Sequence, residues 1–265
     1  ASRGVRLADI ALRGEMGVPG VLTAPQWGFN DVSFSHTNKD LALKPADQQA
    51  LRLPQPLGSY VMENVLFKIS FPAEFHAQTA CEAAIILHPQ VRNRLHEIDR
   101  IVIRTQQSAI RIISKQGPLA NAADRDHCLQ YMVAVPLIFG QLVAEHYEDA
   151  FHAAHPSIDR LREKMEVIEE PRFSREYLEP DKRSIANGLQ VFFKDGSSTE
   201  PVVVEYPLGH RRRRGEGIPL LERKFRENLA TRFARQRCVD IFELCEDQQR
   251  LEDTAVHRFV DLFVI

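Results

Sequence analysis

The sequence lacks the features of several common protein classes. Its 265 residues include only four cysteines, none of them in a CxxC arrangement. Neither a disulfide-stapled secreted fold nor a thiolate metal site is indicated, and a reduced, cytoplasmic setting is expected. The apolar run at residues 132–139 contains Pro136 and is shorter than the ~18 residues that a membrane span needs. We therefore expect no membrane partner.

The sequence also lacks a large excess of positive or negative charge, and it lacks the standard catalytic motifs. The formal net charge is −2, so no overall field favours binding to nucleic acid. The motifs GxGxxG, GxxxxGK[ST], HExxH and GxSxG are absent, which removes support for dinucleotide, P-loop, zincin and hydrolase-elbow sites. The ten histidines are dispersed, so no metal site is predicted.

Residues 60–84, YVMENVLFKISFPAEFHAQTACEAA, combine a strand pattern with a helix pattern. The pattern changes at Pro72, and Lys68, Glu74, His76 and Gln78 lie close to that change. Strand-to-helix turns often hold binding groups, because the first N–H groups of a helix are unpaired and favour anions. Charged residues at such boundaries are nevertheless more often solvated surface than site.

Hydrophobic periodicity predicts an α+β fold in which strands and helices mix in the middle and helices occupy both ends. The N-terminal pattern indicates a helix near residues 5–12, for which Gly14 and Gly17 are both possible stops. Strands are predicted at residues 60–69, 98–105 and 165–168, and a hairpin of 184–194 and 201–206 turns at Asp195-Gly196. Helices are predicted at residues 74–87, 123–142 with a kink or break at Pro136, 156–165, 218–233, 238–251 and 256–264.

The run HRRRR at residues 210–214 allows more than one interpretation. A basic run can bind nucleic acid, but no aromatic residue is interleaved here. Acidic neighbours such as Glu205, Glu216 and Glu222 instead favour a solvated loop in which the arginines are paired. Arginine side chains would also suit a carboxylate, a phosphate or a subunit contact.

Several long sequence segments, called words below, together resemble the MmgE/PrpD family over essentially the whole chain. They are SRGVRLA, GSYVMENVLFKISFPAEFHAQTA, GPLANAADRDHCLQYMVAVPL, DKRSIANGL, VVVEYPLGHRRRR, GIPLLERKF and FVDLFVI. The resemblance implies a larger protein with a helical domain, whose first part would precede residue 1, and a smaller α/β lid domain. Residues 1–35 would end the helical domain, 36–215 would form the lid, and 216–265 would return to the helical domain.

The resemblance also implies a function. Members dehydrate 2-methylcitrate to 2-methyl-cis-aconitate in propionate breakdown, without a metal or an iron–sulfur cluster, and related members act on similar polycarboxylates. The resemblance suggests a homodimer. Removing a proton next to a carboxylate while a hydroxyl departs needs a base, an acid and cations that hold the substrate.

The family's site residues can be matched to positions in this sequence. A cleft lysine before a proline corresponds to Lys68, and a tyrosine of an FQY-type word corresponds to Tyr131. The family histidine corresponds either to His76 or, by its spacing after Pro72, to the position of Gln78. A further family lysine falls near Arg3, which is expected to supply the positive charge for substrate binding.

Two other functions stay open at this point. A protein of the same fold could decarboxylate or epimerise a related polycarboxylate. The chain could instead be a non-catalytic binding module that uses residues 211–214. The isolated 265 residues are expected to have little or no activity.

Overall fold

The structure is a computed structural model that describes residues 2–33 and 64–265. The chain divides into two compact units, Ala1–Tyr60 and Val61–Ile265. In the first unit, helix α1 spans Ser2–Leu12 and buries none of its residues. The predicted stop is found at Gly14, whose φ of +90° is a left-handed conformation that glycine adopts without strain.

The described part of the second unit contains a mixed four-stranded sheet in the order β2-β1-β3-β4. Its strands are β1 (Ile98–Thr105), β2 (Met165–Glu169), β3 (Asn187–Phe193) and β4 (Val202–Val204). Strand β1 pairs in parallel with β2 and antiparallel with β3, and β3 pairs antiparallel with β4. The observed architecture confirms the predicted α+β class.

Helices cover this sheet and extend to the C-terminus. Their bounds are α2 (Gln78–Val91), α3 (Gln107–Ile113), α4 (Ala122–Asp126), α5 (Leu129–Phe139), α6 (Asp149–Ala154), α7 (Ser157–Arg162), α8 (Pro171–Leu178), α9 (Arg214–Ala230), α10 (Arg235–Glu246), α11 (Gln248–Asp253) and α12 (Val256–Asp261). Helix α2 packs against α5 on one side and against β3 and β4 on another.

The core lies around the contact between α2 and α5. Every residue of α5 from Leu129 to Leu137 is buried, so this helix is enclosed on all sides. Ala80, Cys81 and Ala84 of α2 are also fully buried. Their small side chains let the two helices pack closely.

The thiol of Cys81 compensates for a proline inside α5. Pro136 has no N–H, so the carbonyl of Met132 lacks its usual partner within the helix. The Cys81 Sγ donates to that carbonyl oxygen at 3.2 Å. Helix α5 therefore continues through Pro136 to Phe139, and the prediction that Pro136 would end its first part is wrong.

Two other element predictions need correction. The strand predicted at residues 60–69 is absent from residues 65–69, and residues 60–63 lie outside the described residues. The Phe67 N–H instead donates to the carbonyl of Gly209, in the loop before α9. The helix predicted at residues 123–142 is divided into α4 and α5 by a break at His127 and Cys128.

Predictions that depend on local patterns agree better with the structure. Strand β1 has the predicted bounds, and the hairpin of β3 and β4 turns at Gly196, whose φ is +85°. Helix α9 begins four residues before the predicted start, because a 3-10 turn at Arg211–Arg213 leads directly into it. The domain boundaries after residues 35 and 215 stay predictions.

Candidate functional site

The turn that leads into α2 is organised by the carboxylate of Glu74. This residue caps the 3-10 turn Phe75–Ala77 and accepts the backbone N–H of His76 at 2.8 Å. Its other carboxylate oxygen lies 2.9 Å from Nδ1 of the same histidine. Burial acts to raise the pKa of Glu74, but the hydrogen bonds and charge of His76 outweigh it and the pKa is lowered. Glu74 is therefore an anion that favours a proton on Nδ1 of His76.

The imidazole of His76 connects this carboxylate to a distant phenol. Its Nε2 lies 3.2 Å from the hydroxyl oxygen of Tyr177, which is carried by α8, and the two rings are 5.7 Å apart. When the ring is neutral and carries its proton on Nδ1, its Nε2 can accept from the hydroxyl. We call this arrangement the Glu74–His76–Tyr177 chain. It can move a proton between the phenol and the imidazole.

Buried hydrogen bonds fix the backbone beneath this chain. The Asn187 Nδ2 donates to the carbonyl of His76 at 2.8 Å and to Oγ1 of Thr79 at 2.7 Å. Thr79 donates in turn to the carbonyl of Ile185 at 2.6 Å. Asn187 and Thr79 are fully buried, so the start of β3 and the start of α2 are held together. This gives His76 a rigid support.

Lys68 lines a cavity of about 880 Å³. The other walls are residues 69–72, residues 142–144 and one face of α9. Three basic side chains, Lys68, Arg223 and Lys224, face one acidic side chain there, Glu227. The Lys224 Nζ also donates to the carbonyl of Lys68 at 2.5 Å. A cavity of this size with an excess of cations suits a small polycarboxylate.

The segment that carries Lys68 is held by residues of the HRRRR run. The Arg214 Nη2 donates to the carbonyl of Val65 at 3.2 Å, and its guanidinium lies 4.6 Å from the centre of the Phe67 ring. The Phe67 N–H donates to the Gly209 carbonyl at 3.2 Å. These contacts place Lys68 next to α9.

The neighbouring arginine secures α2 to the same loop. Arg213 makes a bidentate pair with Glu82, both N–O distances being 2.9 Å, and it also binds Glu216. Both hydrogen-bonded carboxylates raise the pKa of Arg213, Glu216 first and then Glu82. This guanidinium is engaged within the protein, as the interpretation of a paired loop expects.

The other sequence-predicted site residues lie in different surroundings. Tyr131 is fully buried, and its hydroxyl donates to the carbonyl of His146 at 2.5 Å. Burial raises the pKa of Tyr131 to about 12. The Gln78 amide donates to the carbonyls of Phe71 at 3.0 Å and Ala73 at 2.8 Å.

Arg3 is exposed on α1, in the first unit. The roles of Arg3, Gln78 and Tyr131 toward a substrate stay predictions.

Within the second unit, the candidate residues thus form two groups, the Glu74–His76–Tyr177 chain and the residues that line the Lys68 cavity. Phe71 and Pro72 belong to the cavity lining and are followed closely in sequence by Glu74. His76 is not among the residues that line the cavity. Sequence reasoning missed Tyr177, Arg223 and Lys224. The ERK word at residues 222–224 was part of the family resemblance and could have drawn attention to the last two. Tyr177 carried no comparable signal.

In residues 2–33 and 64–265, no three His, Cys, Asp or Glu side chains are grouped so that they could hold a metal ion. None of the helices in the same ranges is long and apolar enough to cross a membrane.

The chain is similar in sequence to curated 2-methylcitrate dehydratases from bacteria and a yeast. The chain is 52% identical to the 2-methylcitrate dehydratase of Escherichia coli K12 over 267 aligned positions, which cover all of this chain and 53% of the relative. Identity is also 52% to the 2-methylcitrate dehydratase of Cupriavidus necator, over the whole chain and 52% of the relative. It is 49% to the mitochondrial 2-methylcitrate dehydratase of Yarrowia lipolytica, over 99% of the chain and 48% of the relative.

The chain spans about half the length of the curated relatives it matches. Residues 71–248 match the model of the MmgE/PrpD C-terminal domain. This match includes the Glu74–His76–Tyr177 chain and the α9 face of the Lys68 cavity. The protein therefore belongs to the MmgE/PrpD family.

Proposed function

We propose that the full-length protein containing this chain is a 2-methylcitrate dehydratase. It would convert 2-methylcitrate to 2-methyl-cis-aconitate and water. Its place would be propionate catabolism by the methylcitrate cycle. The observation that carries the proposal is the identity of about half of all residues, over the whole chain, with relatives of that name from bacteria and a yeast.

The proposed reaction is an elimination that the chain's own residue types can support. A base takes the proton from a carbon next to a carboxylate, the electrons of that bond form the double bond, and the hydroxyl departs with a proton as water. Lys68 binds a substrate carboxylate or protonates the departing hydroxyl. His76 assists the transfer of the carbon-bound proton, and no metal or other cofactor takes part.

The geometry around α2 favours His76 over Gln78 as the proton-transfer group. His76 has a carboxylate on one ring nitrogen and a hydroxyl on the other. Gln78 has no titratable proton, and its amide supports the turn at Phe71 and Ala73. We retain Gln78 and Arg3 as proposed substrate-binding residues. Tyr131 stays a proposed hydrogen-bond donor, although its hydroxyl would have to leave the carbonyl of His146 to act on a substrate.

The proposal extends to the architecture of the whole protein. Residues 1–35 and 216–265 are proposed to belong to a helical domain and residues 36–215 to a lid. Because the chain spans about half of its relatives, the main partner we propose is an N-terminal helical domain. A homodimer in the cytoplasm, without a nucleic acid or membrane partner, completes the proposal. Sedimentation of the full-length protein tests the dimer.

The decisive experiment uses a full-length protein that contains this chain. It is incubated with 2-methylcitrate, and the products are identified by NMR, because dehydration, decarboxylation and epimerisation give different carbon skeletons or stereocentres. Lys68→Ala should lower turnover by about 10²–10³-fold, as for the loss of one well-placed donor.

Lys194→Ala is the matched control, because the Nζ of this lysine donates to the carbonyl of His96 on an exposed surface. The absence of any 2-methyl-cis-aconitate would contradict the proposed activity. A Lys68→Ala variant as fast as the Lys194→Ala control would remove Lys68 from the site.

A further inference from the structure

Within the Glu74–His76–Tyr177 chain, the imidazole is the buried member, whereas Glu74 and Tyr177 are partly exposed. His76 is only 8% exposed. One ring nitrogen meets Glu74 and the other meets Tyr177. Tyr177 is partly exposed, and its hydroxyl lies 3.2 Å from Nε2 of His76. Of the two hydrogen-bonded groups, the tyrosine is thus the one with solvent-exposed surface from which a substrate could be approached.

We infer that Tyr177 is a catalytic residue, whose hydroxyl oxygen takes the proton from the substrate carbon while its own proton passes to Nε2 of His76. This inference rests on the proposed function and deepens it. His76 then acts through Tyr177, and Glu74 is a positioning residue that orients the imidazole and stabilises its protonated form.

The atoms and electrons of this step balance. The tyrosine O–H bond breaks as the N–H bond on Nε2 of His76 forms, and the phenol oxygen receives the substrate proton in the same exchange. The electron pair of the broken C–H bond becomes the carbon–carbon double bond, and the C–O bond to the hydroxyl breaks. The hydroxyl leaves as water with the proton assigned above to Lys68. Proton exchange with solvent then restores neutral His76 and charged Lys68.

The helix that carries Tyr177 is firmly anchored, as precise proton transfer requires. Phe173 of α8 is buried. The buried carboxylate of Glu176 accepts from Lys182 at 2.7 Å and from Arg172 at 3.1 Å. The backbone N–H of Ser184 also donates to the carbonyl of Glu176, at 3.3 Å. The phenol is thus presented by a rigid element directly beside a buried anchor.

The test compares Tyr177→Phe with wild type in the full-length enzyme. Tyr177→Phe should lower kcat by about 10²–10⁴-fold, the usual contribution of a general base. Exchange of the substrate methine hydrogen with deuterated water, followed by NMR, should slow by the same factor. Binding of tricarballylate, which has no hydroxyl to lose, should stay within about threefold because the phenol serves chemistry rather than affinity.

Tyr206→Phe is the matched control, because this tyrosine lies against His210 and Arg212 in the same unit and should keep wild-type kcat. Glu74→Gln should lower kcat and slow hydrogen exchange together, and both effects should be smaller than in Tyr177→Phe. If Tyr177→Phe retains wild-type kcat or wild-type exchange, the inference is wrong. It is equally overturned if the variant loses tricarballylate binding and thermal stability together, since the phenol would then only hold the fold. A wild-type enzyme that leaves 2-methylcitrate unchanged would instead overturn the proposed function, and this inference with it.

Discussion

Gly209 lies at the point where the Lys68 segment touches the loop before α9. A Cβ atom added there would be 1.8 Å from the carbonyl oxygen of Phe67 and 2.6 Å from its carbonyl carbon. Both atoms belong to the backbone, so no change of rotamer can relieve the overlap. We expect Gly209→Ala to push residues 65–69 away from the loop.

The size of the effect follows from the contacts that are lost. The hydrogen bond from the Phe67 N–H to the Gly209 carbonyl would break, and the two segments would have to separate. A lost hydrogen bond and an overpacked contact together should lower the free energy of unfolding by about 2–4 kcal/mol. Lys68 follows Phe67 directly, so its ammonium should move away from Arg223 and Lys224 as well.

Urea unfolding of Gly209→Ala and Gly215→Ala provides the measurement. Gly215 lies near the start of α9 with no atom within 4 Å of an added Cβ, and alanine is the better helix former. The control should therefore be neutral or more stable by up to about 1 kcal/mol. In the full-length protein, Gly209→Ala should also raise the KM of the proposed dehydration of 2-methylcitrate. A Gly209→Ala variant within about 0.5 kcal/mol of wild type would refute the reasoning.

Two further predictions concern buried groups. Cys81→Ala leaves the Met132 carbonyl without its donor and should lower the free energy of unfolding by about 1–3 kcal/mol. Cys81→Ser keeps a donor and should lower it by less. Equal losses in the two variants would contradict the role of the thiol. Burial and then the charges of Arg212, Arg211 and Arg214 lower the pKa of His210 from its ordinary 6.5 to about 4. The unfolded chain thus binds more protons than the folded one, and urea midpoints should fall as pH drops from 6.5 toward 4. His210→Asn should flatten that fall, and an unchanged slope would count against the buried neutral histidine.

Local patterns predicted much of this fold. Strand β1 contains three isoleucines and one valine among its eight residues. The Asp195-Gly196 turn needs the left-handed backbone that Gly196 has. Residues 65–69 have a similar apolar pattern but contact the loop at Gly209 instead of a strand. The break between α4 and α5 also escaped prediction, because it depends on tertiary contacts such as that of the buried Arg125 with the Tyr147 carbonyl.

The candidate site was predictable only where its residues are neighbours in sequence. Lys68 and His76 belong to one long word that the family resemblance singled out. Tyr177 lies 101 residues from His76, and a single sequence carries no signal that brings them together. The excess of cations around Lys68 likewise depends on α9 folding back against residues 68–72.

The position of β1 in the sheet has a consequence for synthesis of the protein. This strand leaves the ribosome before both of its neighbours, since β2 and β3 follow it in sequence. Until β3 emerges, one edge of β1 has no strand to pair with, and its apolar side chains lack part of their cover. A nascent chain that stalls before residue 187 would therefore expose an unpaired, aggregation-prone strand edge. We expect such stalled chains to engage chaperones or to aggregate, whereas chains released after β4 can close the sheet.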